Sequence, residues 1–433
     1  MVVYGHLYED TQKHFTGLFL GSCSRFGKTV RLRTSTPVRM NNYMKYFGLA
    51  LFAFLLAIPA TSHARYSDEV SGWVPYWADE DGVEEVVDNL GDIDILYLFI
   101  YEVDAAGDLV LKADLDDGVW EELVRKAKKK RVTIMPTVAW FDGEAIHETL
   151  SDRKKMRAHV RDIENMVDEM GFDGVNIDYE QKLSETIDYY SDFLEELEDE
   201  LGRDDLSCTI EARTPPESRW KVVPENIQWA NDYKAINKHC DWVEIMTYDQ
   251  QRADLKLNSE RRGVPYMPVA DIDWVEKVLK YALKDIDNEK IMLGIPTYGR
   301  AWDVTVASEW YRDYDSVEAI NHESVLDVVD RYDLEIGRTA GGEAVISYFP
   351  DSSPYKVFNA LPTPEGTPKG FEAAAKALMV ATYANVDIPV RFITWGDAQS
   401  AEDKLDLIKK YKLKGAAFFK FDGEEDEAIW DLF

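Results

Sequence analysis

The sequence predicts an α/β fold with eight parallel strands, the number that closes a (β/α)8 barrel, and a small α+β insertion between strands seven and eight. Three observations predict it. From Gly72 onward, short apolar runs alternate with segments whose apolar residues recur at helical spacing. Some of those runs, such as 95–101, are apolar almost without a break, as strands covered on both faces by helices are. Roughly 115 residues separate the last two strands, far more than a crossover needs.

The elements follow in order. Gly72-Trp73-Val74-Pro75-Tyr76-Trp77 reads as the first strand and 95–101 as the second. Trp120, Leu123, Val124 and Ala127 mark a helix, and Lys128-Lys129-Lys130-Arg131 place positive charge at its electronegative end. Strand three covers 132–138. Leu150, Met156, Val160, Ile163, Val167 and Met170 then predict a helix that Gly171 stops, and the fourth strand follows directly. An acidic amphipathic helix over 187–201 precedes strands at 206–212 and 242–247. A helix over 274–283 leads to the seventh strand, 291–296, and to Tyr298-Gly299-Arg300. The last strand, 416–421, follows a helix whose start, Ser400-x-x-Asp403, reads as a capping box. The insertion is expected over 303–394, with a turn at Gly341-Gly342, a strand at 344–349, a Pro-rich loop to Pro368 and a helix over 371–384.

Of the 433 residues 45% are hydrophobic and 12% aromatic, enough for one large core over 65–433. The formal charge is −32; the first 64 residues hold 7 Lys/Arg and 2 Asp/Glu, so the rest carries 42 against 79, or −37. That excludes nucleic acid and anionic membrane as natural partners and suits a neutral polysaccharide. The N-terminus reads as targeting. Arg39 and Lys45 precede an apolar run over 47–58, and Ser62-His63-Ala64 supplies small residues at the −3 and −1 positions of a cleavage site. A cleaved secretory signal ending near Ala64 is expected, with Met40 as its natural start and a secreted or periplasmic product. The run is short for a membrane span, so no stable insertion is expected after cleavage. Leu20-Gly21-Ser22-Cys23 only weakly resembles a lipoprotein box, because Glu9 and Asp10 spoil its basic lead. Beyond Ala64 only Cys208 and Cys240 remain, near the starts of neighbouring strands. A disulfide is geometrically open to them; two small buried thiols are the reading we favour. No cysteine–histidine spacing suggests a metal site, no cofactor is implied, and a monomer is expected.

The chemistry concentrates in Gly171-Phe172-Asp173-Gly174-Val175-Asn176-Ile177-Asp178-Tyr179-Glu180. Along a strand Asn176, Asp178 and Glu180 share one face, while Val175, Ile177 and Tyr179 share the other. Two carboxylates and an amide on a buried face are costly unless a function keeps them there. A lone Asp-x-Glu would be read as a solvated strand end; the flanking pattern argues otherwise. This stretch resembles the Asp-Gly-x-Asp-x-Asp-x-Glu signature of family 18 glycoside hydrolases, matching at Asp173, Gly174, Asp178 and Glu180 and departing at Asn176. Met246-Thr247-Tyr248-Asp249 resembles the family's second block, Met-x-Tyr-Asp, about 70 residues further on and on the sixth strand. The resemblance runs from Gly72 to Trp430.

It implies a TIM barrel and hydrolysis of β-1,4 bonds in a polysaccharide containing N-acetylglucosamine, chitin or peptidoglycan, in which the substrate's own 2-acetamido group attacks the anomeric carbon. By the same resemblance Glu180 is the proton donor, Asp178 accepts the acetamide N–H, Tyr248 donates to the acetamide oxygen, and Asp249 shapes that subsite. Asp173, Asn176, Met246 and Tyr298 are further candidate substrate-binding positions. Asparagine at 176 can hydrogen-bond to Asp178 but cannot take its proton. Two carboxylates about 7 Å apart along a strand raise the pKa of one of them, as a general acid needs. Family members carry a tryptophan on the eighth strand as the floor of the sugar site; here Phe419 takes that place, with Trp395 as the alternative floor. Trp77, Tyr101 and Trp140 also follow strands, where sugar stacking and core packing are both open to them. The resemblance also admits a chitinase-like carbohydrate-binding protein. Such proteins lose the terminal glutamate or the middle aspartate, and this chain keeps both.

Overall fold

The computed structural model describes residues 68–116 and 118–433. The expected signal segment, its cleavage near Ala64 and the lipoprotein-like box all lie outside the described residues.

In chain order the first half contains β1 (Glu69–Pro75), α1 (Glu80–Asn89), β2 (Ile95–Val103), the short β3 (Leu109–Leu111), α2 (Gly118–Lys130), β4 (Thr133–Trp140), α3 (Gly143–Ser151), α4 (Arg153–Met170) and β5 (Gly174–Tyr179). Then come α5 (Ile187–Leu201), β6 (Asp205–Glu211), α6 (Pro216–Arg219), α7 (Tyr233–His239), β7 (Trp242–Met246), α8 (Leu255–Glu260), α9 (Ile272–Ala282) and β8 (Ile291–Pro296). The remainder is β9 (Tyr298–Ala307), β10 (Trp310–Asn321), α10 (His322–Tyr332), β11 (Gly337–Arg338), β12 (Ala344–Tyr348), α11 (Glu372–Ala384), β13 (Ile388–Trp395), α12 (Ala398–Tyr411) and β14 (Gly415–Phe419).

Strands β1, β2, β4, β5, β6, β7, β8 and β14 pair in parallel, and the β1–β2 and β1–β14 pairings close the barrel. All eight strands read from the sequence are present. Their outward residues and the helices form one apolar layer, while Trp73, Tyr97, Phe99, Met135, Trp242 and Met292 fill the interior. At the N-terminal rim one device recurs. Asp94, Asp173 and Asp241, each just ahead of a strand, accept the backbone N–H of Val70, Ile134 and Leu206 on the neighbouring strand at 2.9, 2.8 and 2.9 Å. These bonds pin the stagger that a closed barrel requires. Next to Asp173, a Cβ at Gly174 would stand 2.0 Å from the Asp205 carbonyl oxygen, so only glycine lets β5 and β6 approach there.

Two helix details differ from expectation. The helical pattern over 150–170 is split, because the Asp152 side chain accepts the N–H groups of Lys154 and Lys155 and starts α4 afresh. Gly171 does stop α4, in the left-handed conformation at φ 63°. The capping box before the last strand uses Asp397 as N-cap and Ser400 as its third residue, so the helix starts earlier than Ser400-x-x-Asp403 suggested. A carboxylate in extended backbone is there to take the first free N–H groups, and Ser400 returns the bond.

The insertion is a five-stranded antiparallel sheet in the order β10-β9-β13-β12-β11. Its strands run from Tyr298 to Trp395, wider than the expected 303–394. The hairpin β9–β10 was not legible because β10 keeps Arg312, Asp313, Asp315 and Glu318 among its residues and shows no apolar run. Helix α11 lays Ala373, Ala374, Ala377 and Ala381 against Val304, Val306 and Phe392 on one face of the sheet. Val325 of α10 packs with Ile346 and Trp395 on the other.

Cys208 on β6 and Cys240, two residues ahead of β7, form a disulfide, which corrects the reading of two free thiols. Both side chains point outward from neighbouring strands, and their Cα atoms stand 6.0 Å apart, within bridging range. The bridge spans a sequence separation of 32 residues. By loop-closure entropy it contributes about 3–4 kcal/mol. Replacing both cysteines by alanine is therefore expected to lower the unfolding free energy read from urea titration by that amount, with a lower midpoint; an unchanged free energy would show that the bridge does not constrain the unfolded chain.

Candidate active site

The site is built on β5. Its outward residues Val175, Ile177 and Tyr179 enter the layer under the helices, as the alternation predicts. Tyr179 is held hardest: its ring stacks on Phe193 of α5 at 5.5 Å, and its hydroxyl is 2.5 Å from His159 Nε2 on α4. His159 Nδ1 lies 3.1 Å from the Gly107 carbonyl oxygen. Burial holds this imidazole neutral, its pKa pushed down to about 4. A neutral ring with Nδ1–H donating to Gly107 accepts from Tyr179 at Nε2, which fixes the back of the strand.

Facing inward, Asn176 is fully buried and fully bonded. Its Oδ1 accepts from Thr137 on β4 at 3.0 Å. Its Nδ2 donates to Ser207 on β6 at 2.7 Å and to Glu244 Oε2 on β7 at 3.1 Å, and its Oδ1 also accepts from Thr209 on β6 at 3.2 Å. Trp73 on β1 donates to Thr137, and Tyr97 on β2 donates to the other oxygen of Glu244. Burial pushes Glu244 up to about 7. This corrects the expectation for Asn176: its amide bonds the next strands rather than Asp178, and no part of it is left to meet a ligand.

One step toward the mouth is Asp178. It is buried, and its Oδ1 has no hydrogen-bond partner. Burial pushes its pKa up to about 7, opposed by the Lys182 ammonium and reinforced by Glu211. Glu180 follows the strand, half-buried, its own N–H donated to the Trp140 carbonyl at 2.9 Å. Burial first, then the charges of Asp178 and Glu211, raise its carboxyl well above the ordinary range. Both carboxyls are thus held toward the protonated form, Glu180 in part by the charge of Asp178, and they titrate as a pair.

Sequence reasoning missed Lys182 and Glu211. The Lys182 side chain is enclosed, donating from Nζ to the Tyr179 carbonyl oxygen, 4.7 Å above the Tyr190 ring and 3.8 Å from Glu211 Oε2. A lysine three residues past a strand end carries no signal by itself. Glu211 could have been found: it ends β6 on the same inward face as Ser207 and Thr209.

Tyr248 comes from the loop after β7. Its ring stacks on Phe419 at 5.8 Å and 24° and meets Tyr298 edge-on at 6.2 Å. Burial, Tyr298 and the nearby Asp178 and Glu180 raise its hydroxyl well above the ordinary value, so it remains a donor at all working pH values. Phe419 also meets Trp73, Phe99 and Tyr298 edge-on, making an aromatic floor under the carboxylates. Met246, on the inward face at the end of β7, is half-buried beside them. Asp249 is half-buried and accepts from Arg300 Nε at 2.6 Å, tying the loop to β9.

The structure thus gathers Asp178, Glu180, Met246, Tyr248, Asp249, Tyr298 and Phe419 at one end of the barrel. Asp173 is at the other end, bonded to Ile134; the recurrence of Asp94 and Asp241 ahead of strands was the signal for that role. Trp395 lies in the core of the inserted sheet, its Nε1 donating to His322 at 3.1 Å, so it is not the floor. Trp140 and Tyr101 pack in the layer under the helices, whereas Trp77 is exposed above Phe99. Among the described residues no His, Cys, Asp and Glu cluster could hold a metal ion.

Comparison with known proteins agrees with the barrel fold. The cortical fragment-lytic enzyme of Bacillus subtilis (strain 168) is 22% identical over 300 residues, which are 68% of this chain and 58% of that one. The chain spans about half the length of the first curated relatives it matches. Among solved structures, the spore cortex-lytic enzyme SleL of Bacillus megaterium QM B1551 superposes with a TM-score of 0.63 at 21% identity, over 86% of this chain and 74% of that one. A class V chitinase of Pseudomonas fluorescens Pf-5 gives 0.62 at 21%, over 84% of this chain and 98% of that one. Both likenesses establish the barrel fold. The family model for glycosyl hydrolases family 18 matches residues 72–424, and the chain belongs to that family.

Proposed function

We propose that the chain is a retaining, substrate-assisted glycoside hydrolase that cleaves β-1,4 bonds next to N-acetylglucosamine, in chitin oligomers or in peptidoglycan. The observation that carries this reading is the unpartnered Oδ1 of buried Asp178, one pleat below Glu180 and beside Tyr248. A buried carboxylate oxygen without a partner is costly, and an acetamide N–H supplied by substrate would satisfy it.

In this mechanism Glu180 gives its proton to the glycosidic oxygen as the C1–O bond breaks. The acetamido oxygen of the same sugar bonds to C1, forming an oxazolinium whose positive charge Asp178 balances while accepting the N–H. Tyr248 donates to the acetamide oxygen and orients it. The leaving sugar departs with the proton. Water then attacks C1 while Glu180, now a carboxylate, takes the water's proton, and the C1–O bond to the acetamide opens. Two displacements at C1 leave the β configuration unchanged. The aromatic floor of Phe419, Tyr248 and Tyr298 supports the sugar face.

We also propose that the protein acts outside the cytoplasm as a monomer; the disulfide supports an oxidising compartment.

The reading is tested by mass analysis of products from chitin oligomers and from peptidoglycan, with the anomer read by NMR in the first minutes. A β product ending in N-acetylglucosamine is expected, and an inverted product or no cleavage of either polymer overturns it. Glu180→Gln is expected to lower kcat by at least about 10²-fold with KM little changed, since only proton transfer is lost.

A pH dependence follows from Lys182. Its charge lowers the pKa of both Asp178 and Glu180, so removing it raises both. The acid limb, which needs ionised Asp178, and the alkaline limb, which needs protonated Glu180, should both move to higher pH in Lys182→Met. Lys182→Arg should hold them in place. The full kcat/KM profile of the three proteins checks this, and fixed limbs in Lys182→Met would contradict it.

A further inference from the structure

A groove of about 360 Å³ opens beside the catalytic end of the barrel, between the segment after β5 and the long loop after β6. Its walls include Lys182, Arg219, Trp220, Asn226, Gln228 and Trp229. Asp178, Glu180 and Tyr248 do not line it; the connection runs through Lys182, two residues past Glu180, whose ammonium is felt by both carboxyls.

Three features distinguish this groove from a chance depression. Its aromatic walls are braced. The Arg213 guanidinium lies 4.2 Å from the Trp229 ring and 4.0 Å from the Tyr233 ring, and it donates to the Asn231 carbonyl oxygen at 2.7 Å. Asn231 in turn donates to Glu211 Oε2 at 2.7 Å, so the wall is tied to the end of β6. Its chemistry suits a sugar: two indole faces with two carboxamides offer the flat apolar surface and the paired donors and acceptors that a pyranose uses. Its charge is reversed relative to the molecule. In a chain of formal charge −32 the lining contains Lys182 and Arg219 and no carboxylate. The Lys182 ammonium is already enclosed by its own partners, so Arg219, exposed with its guanidinium 5.2 Å from the Trp220 ring, is the cation presented to a ligand.

We propose that this groove is a sugar subsite flanking the catalytic end and takes a pyranose bearing a carboxylate substituent, stacked on Trp220 and Trp229 with its carboxylate on Arg219. The inference rests on the proposed hydrolase reading, because the groove opens beside the proton donor Glu180 without including it. It deepens that reading by selecting, between the two polymers, the one whose alternate sugars carry a lactyl ether. A guanidinium matches a carboxylate with two parallel N–H groups, which a neutral acetamido sugar cannot use.

The test uses two tetrasaccharides that differ only in the lactyl ether: N-acetylglucosamine tetramer, and the alternating tetramer of N-acetylglucosamine and N-acetylmuramic acid. Each is titrated into the full-length chain carrying Glu180→Gln, so that bound ligand survives, and binding is read by tryptophan fluorescence and calorimetry. The carboxylate-bearing ligand is expected to bind roughly tenfold more tightly, the scale of one charge-assisted contact. Arg219→Ala should bring the two affinities within about twofold of each other, and added salt should narrow the gap in the same direction. Trp220→Ala should weaken both ligands alike. Equal affinities in the starting protein, or a preference that survives Arg219→Ala, overturns the subsite. This outcome is separable from failure of the hydrolase reading: wild-type chain that cleaves neither polymer but shows the Arg219-dependent preference sinks the mechanism and leaves the subsite standing. Wild-type chain that cleaves both without the preference does the reverse.

Discussion

A buried polar layer across the middle of the barrel holds the site in place. Polar groups removed from water must be bonded to one another, and a half-satisfied network costs more than an apolar core. Here the side chain of Asn176 meets that demand for β5, reaching Thr137 on one neighbour, Ser207 and Thr209 on the other, and Glu244 one strand further. Trp73 and Tyr97 extend the layer to β1 and β2. With Asn176 locked on its inner face and Tyr179 on its outer face, the strand between them has no freedom left. Asp178 is then presented at a fixed height with one oxygen unpartnered.

Electrostatics above that layer depend on what is left uncompensated. The acidic groups around the mouth raise one another, and burial raises Asp178 and Glu180 further. One enclosed ammonium, that of Lys182, opposes this from behind the strand while paired with Glu211. Two carboxyls one pleat apart thus share one buried acidic site in which both are raised, the setting in which one gives a proton while the other carries charge.

The inserted sheet is joined to the mouth by more than proximity. Its first strand begins two residues after β8, placing Tyr298 against Phe419 and Arg300 on Asp249. Thr297, the linking residue, bonds to both polar groups of the peptide that ends β14: its N–H donates to the Phe419 carbonyl, and its hydroxyl accepts from the Lys420 N–H. The aromatic floor and the loop after β7 are therefore held by two sheets at once. A rigid scaffold with functional groups on the connecting loops is how barrels of this kind support chemistry.

Most of the barrel was legible because its signals are local. Apolar runs marked the eight strands, Gly171 marked a helix end, and alternation over 175–180 sorted one face from the other; each follows from backbone geometry within a few residues. The motif positions Asp178, Glu180 and Tyr248 were legible through the resemblance of two sequence blocks to the family pattern. Features that depend on the register between distant strands were not. Asp173 looked like part of a site because it opens the motif, yet barrel stagger hands its carboxylate to the N–H of Ile134. Asn176 looked like a partner for Asp178, yet the inward layer offered it four other groups. Whether Cys208 and Cys240 bond depended on β6 lying beside β7 with both side chains outward. Trp395 stood as the alternative to Phe419 for the floor until the antiparallel sheet drew it into its own core. Local pattern determined which way each side chain points along its own strand; only tertiary closure decided what it meets, because the neighbour is set by pairing between segments up to 345 residues apart.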